Sequence, residues 1–427
     1  MVEKLDVIIF GASGFTGTYT VYEAISVLTN LRWGIAGRNR TKLEAVLEDV
    51  GVKAGKNLMS TPIIIADIDD EMSLLQMTKR CRVLVNCCGP YRFYGEPVVR
   101  ACIESGTHHV DVSGEPQYME TMQLRYDREA QEKNVYIVSA CGFDSIPADM
   151  GMIFIEKNFD GVVNSVEAYL QSGVKGGPAD GAAIHYGTWE SAVYGLAYAH
   201  ELRGIRSQLY PEKLPKFQPL LKHRPLIFRS EIVNGICLPF PGSDRSVVMR
   251  SQRFLYEKEG KRPIQMHAYV VFQSWFTAIC VTCFAIMFGM MTKFSFGRCL
   301  LLKYPKFFSM GMISHEGPSE SRMERTHFSL TMKALGWPKS ERNSNSLKEL
   351  RETPTKTLTV KISGTNPGYG STCVALLCTA VTILKESEKM PGNGGVLPPG
   401  AAFAKTSLIS ELEKHSHGMK FEILANK

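Results

Sequence analysis

The sequence predicts an α/β fold in which a doubly wound parallel sheet of the Rossmann type is combined with an inserted α+β domain. A short apolar run over residues 5–10 leads into glycines with the spacing G-x-x-G-x-x-G. Further short apolar runs alternate with helix-like segments over the first third of the chain, a pattern typical of parallel sheets. At 427 residues the chain also exceeds one ordinary domain, so a second domain is expected.

The glycine motif predicts a dinucleotide-binding turn between the first strand and a helix over residues 18–28. The first glycine permits the tight turn, the second lets the backbone approach a pyrophosphate, and the third lets the helix pack closely. The helix N-terminus then offers free N–H groups to the phosphates. The alternative is a glycine turn in a fold that has lost its cofactor. The predicted cofactor contacts in this turn are Gly11, Ser13, Gly14, Phe15, Thr16 and Gly17.

The residues after the second strand, which is predicted over 31–36, indicate the type of cofactor. An NAD site usually has Asp or Glu here to bind the ribose 2′-hydroxyl, whereas this chain has Arg38. A guanidinium suits a 2′-phosphate because it forms charge-assisted hydrogen bonds, and Arg40 and Lys42 add positive charge. We therefore expect NADP(H) to be preferred over NAD(H). A solvated basic turn is the alternative interpretation.

The third and fourth strands, predicted over 61–67 and 82–88, supply the next cofactor contacts. Asp67 ends the third strand, where an acid commonly accepts a hydrogen bond from the adenine amine, although a plain turn residue would also fit. The loop after the fourth strand lies at the expected switch point of the sheet, beside the nicotinamide. The predicted contacts in that loop are Gly89, Pro90 and Tyr91, and a helix is predicted to follow over 97–105.

The fifth and sixth strands are predicted over 109–113 and 135–139, and polar side chains follow the strand ends. Hydride transfer needs a positioned nicotinamide and a proton donor near the acceptor. Helix caps, strand ends and an ordinary loop histidine are the alternative explanations, and no Tyr-x-x-x-Lys pair is placed as a short-chain dehydrogenase needs it. The polar residues considered are Asp111, Glu115, Ser145 and three candidate proton donors, Tyr91, Asp144 and His185.

The change of pattern after residue 150 divides the chain into three parts. Residues 1–150 are expected to form the dinucleotide-binding domain, residues 151–391 an α+β domain with an antiparallel sheet, and residues 392–427 a return onto the first domain. Within the second and third parts the sequence predicts strands over 162–171, 357–363 and 419–424, helices over 188–200, 370–386 and 403–415, and an irregular region over 205–263.

Residues 268–291 form an apolar stretch without a charged side chain, within a lipid-associating segment predicted over 264–313. A helix of about 20 residues can span a bilayer, so the length permits insertion into lipid. The cofactor domain would use residues on both sides of the stretch, so we expect monotopic insertion or a shallow hairpin rather than a span. The alternatives are a buried core helix and a homodimer interface.

The remaining composition indicates an intracellular globular protein. The net charge of +7 comes without a Lys/Arg tract or a nucleic-acid motif, so no nucleic-acid partner is expected. The eleven cysteines lie mostly in apolar runs and no secretory signal is visible, so we expect reduced thiols and a protein that is not secreted. Cys280-x-x-Cys283 lacks a second ligand pair, and no metal site is expected.

The motifs in combination resemble those of the saccharopine dehydrogenase-like oxidoreductases, over nearly the whole length. The resemblance implies a saccharopine-reductase-like architecture and an oxidoreductase, without implying lysine metabolism. The motifs that carry it are GASGFTG ending at Gly17, AGR ending at Arg38, NCCGPY ending at Tyr91, GFDSIPAD over 142–149 and GVLPPGAAF over 395–403.

The resemblance also implies a lipid setting. Related bacterial proteins look like enoyl reductases that act on lipid intermediates, and animal members are associated with lipid droplets and mitochondria. We therefore expect a hydrophobic substrate, reduced at a carbonyl or an activated double bond. The expected location is a lipid droplet or membrane, with the mitochondrion as a further one. The alternative is a non-catalytic scaffold at a lipid surface that has kept the fold.

Overall fold

The computed structural model describes residues 4–177, 181–339 and 353–426. The first part of the chain alternates strands with helices. The strands are β1 (Leu5–Phe10), β2 (Trp33–Gly37), β3 (Ile63–Ile65), β4 (Cys81–Asn86), β5 (His108–Asp111) and β6 (Tyr136–Val138). The helices are α1 (Phe15–Val27), α2 (Arg40–Ala54), α3 (Glu71–Thr78), α4 (Tyr91–Ser105), α5 (Pro116–Glu132) and α6 (Ile146–Asn158).

The rest of the chain mixes longer strands with helices. The strands are β7 (Gly161–Val174), β8 (Ile184–His185), β9 (Phe228–Ser230), β10 (Gly235–Pro239), β11 (Gln265–Phe272), β12 (Ile313–Ser314), β13 (Thr326–Pro338), β14 (Lys356–Thr365), β15 (Gly395–Leu397) and β16 (Lys420–Asn426). The helices are α7 (Tyr186–Ala197), α8 (Glu201–Leu209), α9 (Asp244–Glu259), α10 (Trp275–Lys293), α11 (Ser295–Lys303), α12 (Pro305–Phe308), α13 (Glu320–Arg325), α14 (Thr372–Glu386), α15 (Pro399–Phe403) and α16 (Leu408–Glu413).

The first sheet has the strand order β15-β6-β5-β4-β1-β2-β3, and all of its pairs are parallel. Its central strands are buried because helices cover both faces, which explains their continuous apolar runs. This is the predicted doubly wound Rossmann arrangement, so the fold class is confirmed. The loops that follow β1, β4, β5 and β6 meet at one edge of the sheet.

The second sheet has the order β16-β14-β13-β7-β11-β10-β9, and it is antiparallel except for the parallel pair β7 and β11. The buried helix α14 packs against α1 and the first sheet, while α6 packs against the second sheet. The apolar residues of the two sheets therefore share one large core.

The apolar stretch is not one helix, which corrects the interpretation of residues 268–291. Residues up to Phe272 belong to β11, an interior strand that needs apolar side chains on both faces. The helix α10 begins only at Trp275, where Ser274 caps it by accepting a hydrogen bond from the N–H of Phe276 at 3.1 Å. Its 19 residues rise about 28 Å.

The region over 205–263 was wrongly predicted as irregular, because it contains α8, β9, β10 and the 16-residue helix α9. Many charged residues on α9 hide its apolar face in the sequence, and the packing against α6 and α15 supplies the burial. Similarly, α4 begins at Tyr91, since a tertiary contact described below caps it there, and Pro97 lies inside it.

The tail differs from the expectation in two ways. The predicted helix over 403–415 is broken, because α15 already ends at Phe403 and the short helix α16 begins only at Leu408. The strand β15 joins the first sheet beside β6, whereas β16 pairs with β14 in the second sheet. The returning segment therefore contributes to both sheets rather than to the first alone.

Candidate cofactor and active site

The glycine turn has the geometry that a pyrophosphate requires. Gly11 has a φ of +78°, and a Cβ on Gly17 would lie 2.1 Å from the Gly11 carbonyl oxygen. The helix α1 begins directly after Gly14, and no side chain among the described residues caps it. Its first N–H groups therefore face the turn, as anion binding at a helix N-terminus requires.

A cavity of about 570 Å³ lies beside the turn, at the carboxyl end of β2 and β3. Arg38 and Lys42 are exposed there, and the structure gives their side chains no ion-pair or hydrogen-bond partner among the described residues. Two cations at the adenosine end suit a 2′-phosphate, so these residues fit NADP(H). The lining residues are Ser13, Gly14, Arg38, Asn39, Lys42 and Asp67.

Two neighbours of Arg38 have roles that the sequence did not distinguish. Arg40 forms an ion pair with Glu44 at 3.5 Å on the surface of α2, so it is engaged away from the cavity. Asn39 lines the cavity and caps α2 by accepting a hydrogen bond from the N–H of Lys42 at 3.0 Å. An asparagine immediately before a helix is the sequence signal that would have identified it.

Tyr91 lies at the switch point, but its hydroxyl is used inside the protein. It donates to the carbonyl of Asn86 at 2.8 Å and accepts from the N–H of Val112 at 3.4 Å. Burial raises the pKa of this phenol well above its usual value. The residue therefore ties the end of β4 to the end of β5, beside Gly89 and Pro90.

Glu115 holds the start of α4. Its carboxylate accepts hydrogen bonds from the N–H groups of Tyr91 at 3.0 Å and Arg92 at 2.9 Å. Ser191 of α7 donates to the same carboxylate at 2.9 Å. This contact explains why α4 begins at Tyr91, and it gives Glu115 a capping role.

Asp111 belongs to a buried network rather than to an open cleft. It accepts hydrogen bonds from the Ser139 hydroxyl at 2.8 Å, the Tyr118 hydroxyl at 3.1 Å and the Ser113 N–H at 2.9 Å. Burial raises the pKa of this carboxyl to about 6. These partners fix the ends of β5 and β6, so Asp111 supports the edge on which the site is built.

Asp144 follows β6 and lies near Gly114, which follows β5. A Cβ on Gly114 would lie 3.6 Å from Asp144 Oδ2. The same oxygen accepts from the Ser243 N–H and can accept from its hydroxyl, both at 3.2 Å, and Ser145 Oγ lies 3.0 Å from Ser243 Oγ. Burial raises the pKa of Asp144 to about 6, and the Ser243 hydrogen bonds oppose that rise.

Ser243 is a residue that the sequence analysis missed. It lies between β10 and α9, directly before α9, and it reaches the switch-point edge of the first sheet only through the fold. A short Pro-Gly-Ser-Asp motif before a helix is a weak signal that could have marked it as a cap.

His185 lies at the glycine turn rather than beside Asp144. Its ring stacks on Phe15 with ring centres 4.6 Å apart, and its Nδ1 accepts a hydrogen bond from the N–H of Gly187 at 3.0 Å. Burial lowers the pKa of this imidazole, which keeps it neutral. The second domain thus contacts the cofactor turn through His185.

An exposed apolar surface lies on the second domain, and we call residues 275–312 the apolar hairpin. Two helices among the described residues are long and apolar enough to span a membrane, Trp275–Lys293 and Pro367–Lys389. The second is a core helix, whereas only 17% of the most apolar part of the first is buried. Phe276, Phe307 and Met310 are 76%, 78% and 83% exposed.

Both ends of the apolar hairpin return to the same body. The hairpin follows β11 and leads through β12 and α13 to β13, and β11 and β13 belong to the same sheet. Its inner side packs on α7, where Trp189 contacts Phe288 with ring centres 4.7 Å apart. Among the described residues, no group of three or more His, Cys, Asp and Glu side chains is arranged to hold a metal ion.

These features define an oxidoreductase fold with a parallel NADP(H)-binding sheet and a mixed second sheet. In agreement, residues 7–138 match the family model described as the saccharopine dehydrogenase NADP binding domain. The cofactor prediction, NADP(H), is therefore confirmed at the level of the domain.

The chain belongs to the saccharopine dehydrogenase-like oxidoreductases. The human "Saccharopine dehydrogenase-like oxidoreductase" is 39% identical over 98% of this chain and 97% of its own. The "Lipid droplet localized protein" of Caenorhabditis elegans is 34% identical over 99% of both chains. A relative in Arabidopsis thaliana, 33% identical over 98% of this chain and 96% of its own, is named a probable mitochondrial member.

A solved structure supports the fold. The apo saccharopine dehydrogenase (L-Glu forming) of Saccharomyces cerevisiae aligns over 99% of this chain and 100% of its own, with a TM-score of 0.55. At 14% sequence identity this similarity concerns the architecture alone.

Proposed function

We propose that this protein is an NADP(H)-dependent reductase that works while attached to a lipid surface and reduces a carbonyl or an activated double bond of a hydrophobic substrate. The observation that carries the proposal is the exposed apolar hairpin, whose flanking strands belong to a sheet that shares its core with the cofactor-binding sheet. An exposed apolar surface of this kind marks a contact with a membrane or with another molecule. The lipid droplet name of the nematode relative supports the location.

The apolar hairpin is suited to attachment to one leaflet rather than to a span. Eight large apolar side chains in it are at least half exposed, and burying them in lipid would contribute on the order of 10 kcal/mol. The lysines at the ends of its helices can reach the headgroups. The side chains are Trp275, Phe276, Ile286, Met290, Phe294, Phe296, Phe307 and Met310, and the lysines are Lys293, Lys303 and Lys306.

In this proposal the protein holds the reactants and supplies a proton. NADPH, when bound, supplies the hydride. Arg38 and Lys42 bind its 2′-phosphate, and the N-terminus of α1 binds its pyrophosphate. Asp144 is the proposed proton donor to the substrate oxygen or carbon, since its raised pKa leaves part of it protonated near neutral pH. Ser243 orients the carboxyl.

The test is oxidation of NADPH by the full-length protein in phosphatidylcholine vesicles that contain long-chain ketones or enones. We expect turnover that is lost in Asp144→Asn, while that variant still binds NADPH. Arg38→Ala should raise the KM for NADPH with little change in kcat. Tight binding of NADPH without turnover across a broad panel of carbonyl and enone lipids would contradict the proposed reaction.

The second candidate function is a non-catalytic scaffold at the lipid surface. It is favoured by the internal use of the Tyr91 hydroxyl, which is bonded to the carbonyl of Asn86 and is therefore engaged away from a substrate. It predicts that Arg38→Glu leaves recruitment to lipid droplets and its cellular consequences unchanged. A change in those consequences, with recruitment intact, would favour the reductase.

Attachment is best tested with substitutions rather than a deletion. Removing residues 268–291 would also remove part of β11 and damage the second sheet. The variant Phe276→Ser/Ile286→Ser/Phe307→Ser should lose vesicle flotation and keep NADPH binding. Retained flotation would contradict lipid attachment, and a mass in solution that falls from dimer to monomer would assign the surface to a homodimer instead.

A further inference from the structure

Helix α7 lies between the cofactor turn and the apolar hairpin. At its start, His185 stacks on Phe15 of the glycine turn. Along its length, Trp189 contacts α10 and donates its indole N–H to the carbonyl of Leu301 in α11 at 2.9 Å. Ser191 donates to Glu115, which holds the start of α4. A single helix therefore separates the cofactor cleft from the proposed lipid surface.

Four aromatic residues lie at the start of α4 and near the end of α7, and we call them the aromatic rim. They are Phe93, Tyr94, Tyr194 and Tyr198. Phe93 meets Tyr194 edge to face at 5.0 Å, and Tyr194 stacks with Tyr198 at 6.4 Å. Phe93 and Tyr94 are 46% and 41% exposed, and they follow closely after Pro90 at the switch point. The rim thus presents exposed apolar surface beside the nicotinamide end, which an apolar chain can contact.

The rim also reaches the apolar hairpin. Tyr194 lies on α7, which packs against α10 and against α11, the helix that carries Arg298. The same arginine donates to the carbonyl of Thr292, at the end of α10, at 3.0 Å. Aromatic side chains therefore connect the apolar hairpin with the edge of the first sheet.

The charges around the rim favour an uncharged ligand. Arg92 is engaged, because it pairs with Glu201 at 2.8 Å and lies over the ring of Tyr198 at 4.0 Å. Arg298 is engaged with a backbone carbonyl. Glu190 lies nearby and is half-buried, and its carboxylate would repel an anion. A substrate carboxylate or phosphate would have to break these contacts to find a cation.

We propose that the aromatic rim is the route by which the apolar chain of an uncharged, lipid-dissolved ketone, aldehyde or enone passes from the lipid surface to the nicotinamide end of the cofactor. The inference rests on the proposed function, and it adds the charge class of the substrate and its route of access. Aromatic side chains at an interface suit this task because they contact apolar chains while their polar atoms remain hydrated.

Photolabelling tests the route without requiring turnover. The probe is a long-chain ketone with a terminal diazirine, presented in phosphatidylcholine vesicles to the full-length protein with NADP⁺. We expect label in peptides that cover Phe93 and Tyr94 and in peptides that cover Tyr194 and Tyr198. An unlabelled ketone of the same length should compete, whereas the corresponding fatty acid should not.

A rim variant and a matched control sharpen the experiment. Phe93→Ser/Tyr194→Ser should reduce rim labelling by about fivefold or more, because it removes two of the four aromatic side chains that would contact the apolar chain of the probe. Its vesicle flotation and NADPH affinity should not change. Leu226→Ser, which removes an exposed apolar side chain outside the rim, should label like the native protein.

The outcomes separate this inference from the proposed function. Label confined to residues 275–312 would overturn the route while leaving lipid attachment intact. Equal competition by the fatty acid would overturn the charge class. Rim labelling without any NADPH oxidation would support the route. It would contradict only the proposed reductase activity. A rise in the KM for long-chain ketones in the rim variant, with kcat unchanged, would support both.

Discussion

At the scale of single residues, Arg38 lies exposed beside the cavity at the glycine turn, whereas Asp144 is held by hydrogen bonds from Ser243. The glycine turn and Arg38 carry their chemistry in their own type and spacing, so they could be recognised before folding. Asp144 became distinctive only through Ser243, which is 99 residues away in the sequence. Tyr91 looked available in the sequence, and the structure shows its hydroxyl bonded to Asn86. Local patterns reveal backbone requirements, whereas the partners of a side chain depend on the tertiary fold.

Arg38→Ala is expected to weaken NADPH binding about 10- to 100-fold, because hydrogen bonds to a charged group contribute about 1.5–3 kcal/mol. NADH has no 2′-phosphate, so its affinity should change little. The measurement is a titration of nicotinamide fluorescence with each nucleotide. Arg40→Ala is the matched control, since Arg40 pairs with Glu44 and should leave both affinities unchanged.

The reaction is expected to slow as the pH rises above about 6, because the proton of Asp144 is lost there. Because one protonated group is required, kcat/KM should fall about tenfold per pH unit on the high-pH limb of its pH profile. Ser243 hydrogen bonds favour the ionised carboxylate and lower its pKa, so Ser243→Ala should shift the limb to higher pH. A limb at the same pH in Ser243→Ala and the native protein would assign it to another group.

At the scale of elements, helix starts and an interior strand were the main differences between prediction and structure. The start of α4 depends on Glu115, which is distant in sequence and therefore invisible to a local pattern. The strand β11 and the helix α10 form one apolar run in the sequence, although their surroundings differ. The strand β11 lies inside the second sheet, whereas α10 exposes many of its apolar side chains. Only the polar pair Gln273 and Ser274 marks the boundary between them.

Glu115→Ala is expected to reduce the free energy of unfolding by about 1–2 kcal/mol, because two N–H groups of α4 lose their acceptor. Denaturant unfolding of the NADPH-free protein measures this change. Glu132→Ala, which removes an exposed ion pair with Arg128, should change it by about 0.5 kcal/mol or less. Equal effects of the two substitutions would contradict the capping role.

At the scale of the whole molecule, the apolar hairpin and the cofactor turn lie close together. The chain leads from the hairpin into a short strand, and side-chain contacts connect that strand with the turn. The hairpin leads into β12, which pairs with β8 so that Ser314 lies beside His185. His185 stacks on Phe15, and a Cβ on Gly317 would lie 2.6 Å from that same ring. The apolar hairpin is therefore connected to the pyrophosphate turn through two neighbouring contacts.

Lipid and NADPH are accordingly expected to bind cooperatively. Vesicles should tighten NADPH binding by about fivefold or more, and NADPH should tighten vesicle binding by the same factor, because the linkage is reciprocal. Fluorescence titration and flotation measure the two sides. His185→Ala should abolish the linkage and retain vesicle binding. Equal NADPH affinities with and without vesicles in the native protein would contradict the coupling.

The placement of the last two strands has a consequence for the order in which the protein assembles on the ribosome. The edge strand β15 of the nucleotide-binding sheet is translated long after its neighbour β6, and β16 completes the other sheet later still. The apolar hairpin therefore emerges before either sheet is complete. During that interval the exposed apolar side chains of the hairpin are already present, while the nucleotide-binding sheet still lacks its edge strand.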